Sequence, residues 1–146
     1  MKQTMKETHV VTCFVMDTFG KLLLLRRSGQ VGSYQGKWAG VSGYLEAAPE
    51  EQAYTELAEE TGLSRGDVSL EAVGEPLEVE DAAMDRRWVI HPFRFTVHDP
   101  GNVRLDWEHT ELRWIDSSEM SSFQTVPGLV DAYRRVSLDS GGRSSS

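Results

Sequence analysis

Apolar positions fall into short clusters broken by glycine, proline and acidic stretches, and their order predicts strands, a helix, further strands and a second helix. Residues 9–16 are rich in β-branched and aromatic types and read as a strand. Asp17-Thr18-Phe19-Gly20 reads as a turn, and 21–26 as a second strand with a continuous apolar run from Leu22 to Leu25, so that the pair resembles a hairpin. The Gly-, Ser- and Gln-rich stretch 27–37 reads as a loop, and 38–45 as a short extended segment punctuated by Gly40 and Gly43. Residues 68–79, interrupted by Gly74 and Pro76, and 88–97 predict two more strands, with the acidic, polar segment 80–87 between them and a last short strand at 110–115.

The clearest helix is 49–61. Pro49 suits the first helical position, where its missing N–H would be unpaired anyway. Glu50 and Glu51 sit in the first turn, where the helix dipole favours negative charge, and Gly62 fits a left-handed stop. Residues 126–136 predict a second helix, opened by Pro127, with Leu129, Val130, Tyr133 and Val136 on one side. A sheet with helices on both faces uses both, which makes the fold α/β (α+β), an α/β/α sandwich rather than a bundle or barrel. One domain is expected over 9–136, with 1–8 as a flexible N-terminus and the Ser- and Gly-rich 137–146 as a disordered tail.

The length of 146 residues suits that single domain. No apolar run approaches the roughly 18–20 residues that span a bilayer, and the polar start does not resemble a secretory signal, so the expected location is cytoplasmic and no membrane partner is expected. The single cysteine, Cys13, cannot form an intrachain disulfide and lies in an apolar stretch, as a buried thiol would. The net charge of −8 opposes binding of a nucleic acid polymer. A small phosphorylated ligand is compatible with it if a metal ion supplies local positive charge.

Glu56, Glu59 and Glu60 stand at i, i+3 and i+4 and project from neighbouring points of one helix face. Two carboxylates about 6 Å apart at an effective dielectric near 20 repel by about 3 kcal/mol, less where water screens them. A solvated acidic face is one reading. The other is a cradle for a hard cation such as Mg²⁺, which takes oxygen ligands from a few carboxylates, water and phosphates. Ala53, Leu57, Ala58 and Thr61 would pack the rest of the helix onto the sheet, and the preceding Gly-containing loop would let the glutamates face a cleft.

The stretch from Gly43 to Leu63 resembles a Nudix box, whose motif runs glycine, five residues, glutamate, seven residues, then Arg-Glu-apolar-x-Glu-Glu-x-Gly-apolar. The second half matches at Glu56, Leu57, Glu59, Glu60, Gly62 and Leu63, with Thr55 in the arginine's place. From Gly43 to Thr55 the chain is two residues shorter than the motif, the first glutamate has no direct counterpart, and Glu46 is the nearest carboxylate. Gly36-Lys37-Trp38 and the segment from Glu108 to Ile115, with Arg113-Trp114, also resemble Nudix elements in the family's order.

This resemblance implies a mixed β-sheet between helices and a Mg²⁺-dependent hydrolase, with Mn²⁺ as an alternative ion, that cleaves the diphosphate linkage of a small nucleoside diphosphate derivative. Carried over to matching positions, Glu59 and Glu60 would bind the metal, Glu56 would bind it or act as base, and the backbone carbonyl of Ser42 would add a ligand. Glu108 is the candidate for a further carboxylate, with Asp81 and Glu80 as alternatives. Arg26 and Arg27 are candidates for phosphate contacts, and Tyr34 or Trp38 for stacking on a base. His9, His91, His98 and His109 share no metal-ligand spacing and read as structural or surface residues. A homodimer is a further implication. Two alternatives use the same fold: a binding module that has lost turnover with its altered box, and a diphosphate isomerase. The isomerase would need a catalytic cysteine, and Cys13 is not where that family's cysteine should be.

Overall fold

The sheet is organised by two long strands, β1 (Lys6–Met16) and β7 (Arg86–Val97), which run parallel from Lys6↔Arg86 to Met16↔Thr96 in the computed structural model, which describes residues 5–137. The other elements are β2 (Leu22–Arg27), β3 (Trp38–Ala39), β4 (Val41–Tyr44), α1 (Pro49–Thr61), β5 (Val68–Val73), β6 (Leu77–Asp81), β8 (His109–Ile115) and α2 (Leu129–Arg134). Successive residues of β1 face opposite ways, as the period of a strand requires. Val11, Cys13 and Val15 join Leu23, Leu25, Phe93 and Phe95 in a core beneath α1, which contributes Ala53 and Leu57. Phe14 and Met16 join Leu22, Leu24, Trp88 and Ile90 in a second core, closed by Leu129 and Ala132 of α2. Burial on both faces makes the molecule an α/β/α sandwich, as its sequence pattern predicts, and the sheet is mixed, as the family resemblance implies.

Several boundaries differ from expectation for identifiable reasons. β1 begins at Lys6, and Lys6–Thr8, expected in a flexible start, pair with Arg86–Trp88. The expected hairpin closes only at Met16↔Leu22. Beyond that pair β2 leaves β1 for β8 and β3, because β1 has its edges taken by β7 and β4. The expected strand 68–79 is two strands, β5 and β6, both antiparallel to β7. The segment 80–87 is the tight return of the β6–β7 hairpin, with Asp85 in the left-handed region at φ 54°. The second helix starts at Leu129, after Pro127 rather than near it, because the N–H of Val126 donates to the carbonyl of Trp38 and holds that segment extended. Residues 1–4 and 138–146, and with them nearly all of the expected tail, lie outside the described residues. No helix among the described residues is long and apolar enough to cross a membrane.

α1 follows the local rules. Pro49 opens it, Glu50 and Glu51 occupy the first turn, and Gly62 ends it at φ 75° while its N–H donates to Ala58 O. Ala53, Leu57 and Thr61 are buried as expected, but Ala58 is exposed. Packing onto the sheet therefore fixes the rotation of the helix and turns Glu56 and Glu60 inward. Leu57→Ala is expected to lower the unfolding free energy by about 2–5 kcal/mol, measured as a lower urea midpoint at unchanged slope.

Candidate active site

The inward face of α1 meets β4, and there Glu56 is 8% and Glu60 1% exposed. Gly43 makes this approach feasible, since a Cβ at that position would collide with the carboxyl group of Glu56. Gln52, one turn earlier, donates from Nε2 to Glu56 Oε2 at 2.8 Å. Glu60 Oε1 accepts the N–H of Ser42 at 3.4 Å, and the Nε2 of the buried His109 lies 3.7 Å from it. Among the described residues, Glu60 Oε2 is the only buried side-chain polar atom without a hydrogen-bond partner.

An ionised carboxylate in such a place is costly unless paired. Burial pushes the pKa of Glu60 well above the ordinary value, a hydrogen bond that its protonated carboxyl can make to Glu56 adds to the rise, and the charges of Glu108 and Glu56 follow. Glu108 is raised as well, by burial and then by Asp106 and Glu56. His109 does not supply the missing charge, because burial lowers its pKa against the opposing pull of Asp106. Cys13 lies on the same face of the sheet. Its thiol is fully buried, donates to Ala53 O at 3.7 Å and is pushed up by burial, then by Glu60 and Glu56. The protonated, inert form is therefore favoured.

Beside these acids lies a cavity of about 410 Å³, within the size range of small-molecule sites. Glu46, Glu56, Glu59, Glu108 and Ser42 line it, and Glu60 lies beneath them. Arg27 is the only lysine or arginine in the lining among the described residues. A register shift between Arg26 and Arg27 separates their fates. Arg27 turns to the cavity and donates from Nε to Ser33 O at 2.9 Å. Arg26 pairs outside with Glu111 at 2.9 Å.

Tyr34, Tyr44 and Trp88 also line the cavity, with Trp107, 61% exposed. Tyr34, at φ 51°, donates its hydroxyl to Asp81 and accepts from Trp88 Nε1 at 2.9 Å, and burial followed by the Asp81 bond pushes its pKa up to about 12. Tyr44 lies nearly parallel to Trp88, with ring centroids 6.4 Å apart.

The structure thus brings together Glu46, Glu56, Glu59, Glu108, Ser42, Gly43, Arg27 and Tyr34 in the lining, with Glu60 buried outside it and bonded to Ser42, while Gly62 serves as the stop of α1. It separates four candidates from the cavity lining. Arg26 is engaged outside, Trp38 is 8% exposed and packs edge-on against Phe123, Asp81 is taken by Tyr34, and Glu80 lies 3.7 Å from Arg87. Tyr44, Trp88, Trp107 and Gln52 were not foreseen. Tyr44 directly follows the box glycine, which is the one local signal available.

The donor set fits a hard divalent cation. It consists of carboxylate oxygens and backbone at a partly buried point, one oxygen being unpartnered. Among the described residues no three His, Cys, Asp or Glu side chains stand close enough to enclose an ion by themselves. Water and phosphate oxygens would complete the shell, as is usual for Mg²⁺.

The family model for the NUDIX domain matches residues 6–136. Among solved structures, the chain is similar to the MutT protein from Methanosarcina mazei Go1, with 22% identity, a TM-score of 0.77, and coverage of 97% of this chain and 99% of that one. A C. elegans Ap4A hydrolase binary complex matches at 15% identity and a TM-score of 0.75, over 95% of this chain and 99% of that one. The NUDIX domain of Shewanella oneidensis NrtR, complexed with ADP ribose, matches at 14% identity and a TM-score of 0.65, over 92% and 88% of the two chains. The family model supports a pyrophosphohydrolase, and the chain belongs to the NUDIX domain family.

Proposed function

We propose that this chain is a Mg²⁺-dependent hydrolase, able to use Mn²⁺, that cleaves the diphosphate linkage of a small nucleoside diphosphate derivative. The observation that carries this reading is the buried, unpartnered Oε2 of Glu60 close to a cavity lined by Glu56, Glu59 and Glu108 together with Tyr34, Tyr44 and Trp88. Glu59, Glu60, the Ser42 carbonyl and Glu108 would hold the ion partly through bridging water, since among the described residues no three of the acids enclose it alone. Once bound, it neutralises phosphate oxygens that otherwise repel a nucleophile and makes a bound water more acidic. Glu56 would share the ion or take the proton of the attacking water. Arg27, the only lysine or arginine in the lining among the described residues, would bind a phosphate oxygen. Tyr44, which is exposed and backed by Trp88, would offer a ring face to a base, with Tyr34 beside them. Trp38 does not take that role.

The ADP ribose complex of the NrtR domain and the name of the Ap4A hydrolase lend support to a nucleotide ligand. The altered box favours one second reading, a nucleotide-binding module without turnover, and Mg²⁺-dependent release of a nucleoside monophosphate separates the two. The inert setting of Cys13 argues against isomerase chemistry.

Glu60→Gln is expected to lower Mg²⁺-dependent turnover by about 100-fold or more, at or beyond the upper range for outer-shell partners of metal sites, and Glu59→Gln should also lose activity with the fold intact. Because the folded-state pKa of Glu60 lies above its unfolded value, protonation favours the folded state. The metal-free protein accordingly loses this contribution as pH rises from the ordinary carboxylate value through the raised one. Metal-free Glu60→Gln should therefore melt above the wild type at neutral pH, and the gain should shrink towards pH 4.5. Equal melting temperatures across that range would contradict the assignment of a buried charge. Tyr44→Ala, at a half-exposed position, should raise KM about tenfold, within the energy of one base–aromatic stack, with kcat and melting temperature nearly unchanged.

A further inference from the structure

Gln52 is a neutral, buried side chain bonded to two parts of the site at once. It is 5% exposed. Its Oε1 accepts the N–H of Glu46 at 2.9 Å, and its Nε2 donates to Glu56 Oε2 at 2.8 Å. These two bonds fix the orientation of the amide. A backbone N–H can only donate, so the oxygen must face Glu46 and the NH₂ must face the carboxylate. Gln52 and Glu56 are one helical turn apart on the same face, so the bond forms without distorting α1.

The Glu56 carboxyl is consequently held from two sides. Bare backbone at Gly43 bounds it on one, since a Cβ there would occupy its place, and the Gln52 amide bounds it on the other. The box arginine position cannot do this here. Thr55 is exposed, and its hydroxyl donates to Glu51 O at 3.1 Å on the outer side of the helix. Nor does the shortened loop supply a side chain for it, because Ala47 and Ala48 are exposed and the loop reaches the site through the Glu46 N–H.

We propose that Gln52 is a positioning residue: by tying the Glu46 backbone to the Glu56 carboxylate, it sets the direction in which Glu56 meets the divalent ion. The role rests on the metal reading of the site. A neutral amide orients the carboxylate without offsetting its charge, so the acidic cluster keeps its full attraction for a cation. A guanidinium in the same place would compete with the ion.

The test is Mn²⁺ affinity of the full chain, read from the electron paramagnetic resonance signal of free Mn²⁺, in the wild type, Gln52→Met, Glu56→Gln and the double variant. Gln52→Met keeps the volume and removes both hydrogen bonds. It should weaken Mn²⁺ binding by about tenfold or more, the range known for outer-shell partners, and this loss should vanish when Glu56 is already Gln, because the effect passes through that carboxylate. Gln52→Met affinity within twofold of the wild type, or the same loss in both backgrounds, overturns the role while leaving the metal site standing. A wild type that takes up no Mn²⁺ overturns the metal reading and this role with it. Should Gln52→Met fail to fold, the wild type decides the matter: the side-chain amide protons of Gln52 should shift in the NMR spectrum on adding Mg²⁺, and unmoved resonances under saturating Mg²⁺ overturn the role.

Discussion

Two carboxylates, Glu56 and Glu60, are held one helical turn apart where water scarcely reaches them, and one oxygen of Glu60 has no partner. Like charges so close oppose one another and oppose the helix that carries them. Desolvation adds to the cost. The arrangement persists because α1 is fixed from its other side. Ala53, Leu57 and Leu63 are locked into a core that includes Phe93, Phe95 and Val15. The rotation that buries these apolar groups is the same rotation that turns the acids inward. The fold thus spends stability at one point of the helix and recovers it along the neighbouring stripe, and the proposed divalent ion would supply the counter-charge.

The sheet places the rest of the site around that point. β4 pairs with β1 and brings Ser42 and Gly43 against α1, while β7, on the other edge of β1, carries Trp88 to the cavity's lining. The connection into β8 supplies Glu108, tied by its carbonyl to the N–H of Ser28 beyond β2. The acids therefore stand on α1 and in the connections beside it, while Tyr44 and Trp88 stand on strands of the sheet.

What could be read from the sequence is what depends on neighbours along the chain. Pro49, Gly62 and the spacing of Glu56, Glu59 and Glu60 follow from helix geometry alone, so α1 and its acidic face were legible. Pairing between distant strands was not. The hairpin expected after β1 lost to the long parallel ladder with β7, which no local signal announces. The same limit governs the tryptophans. Whether Trp38 or Trp88 faces the cavity is decided by sheet register and by the segment at 124–126 that bonds to the backbone of Trp38. Gln52 escaped notice because a helical glutamine is unremarkable until the loop N–H opposite it is located. Arg26 and Arg27 were inseparable in sequence, and one irregularity in the β2–β8 ladder distinguishes them.

Anomalous scattering from a crystal soaked in Mn²⁺ tests most directly whether the orphaned oxygen of Glu60 awaits a cation. The account predicts a single strong peak at about 2.0–2.2 Å from Glu60 Oε2, near the oxygen distances of such hard ions, with Glu56 in the same coordination shell. A peak elsewhere in the cavity, with Glu60 Oε2 still unpartnered and the crystals still turning over a nucleoside diphosphate substrate, would contradict it.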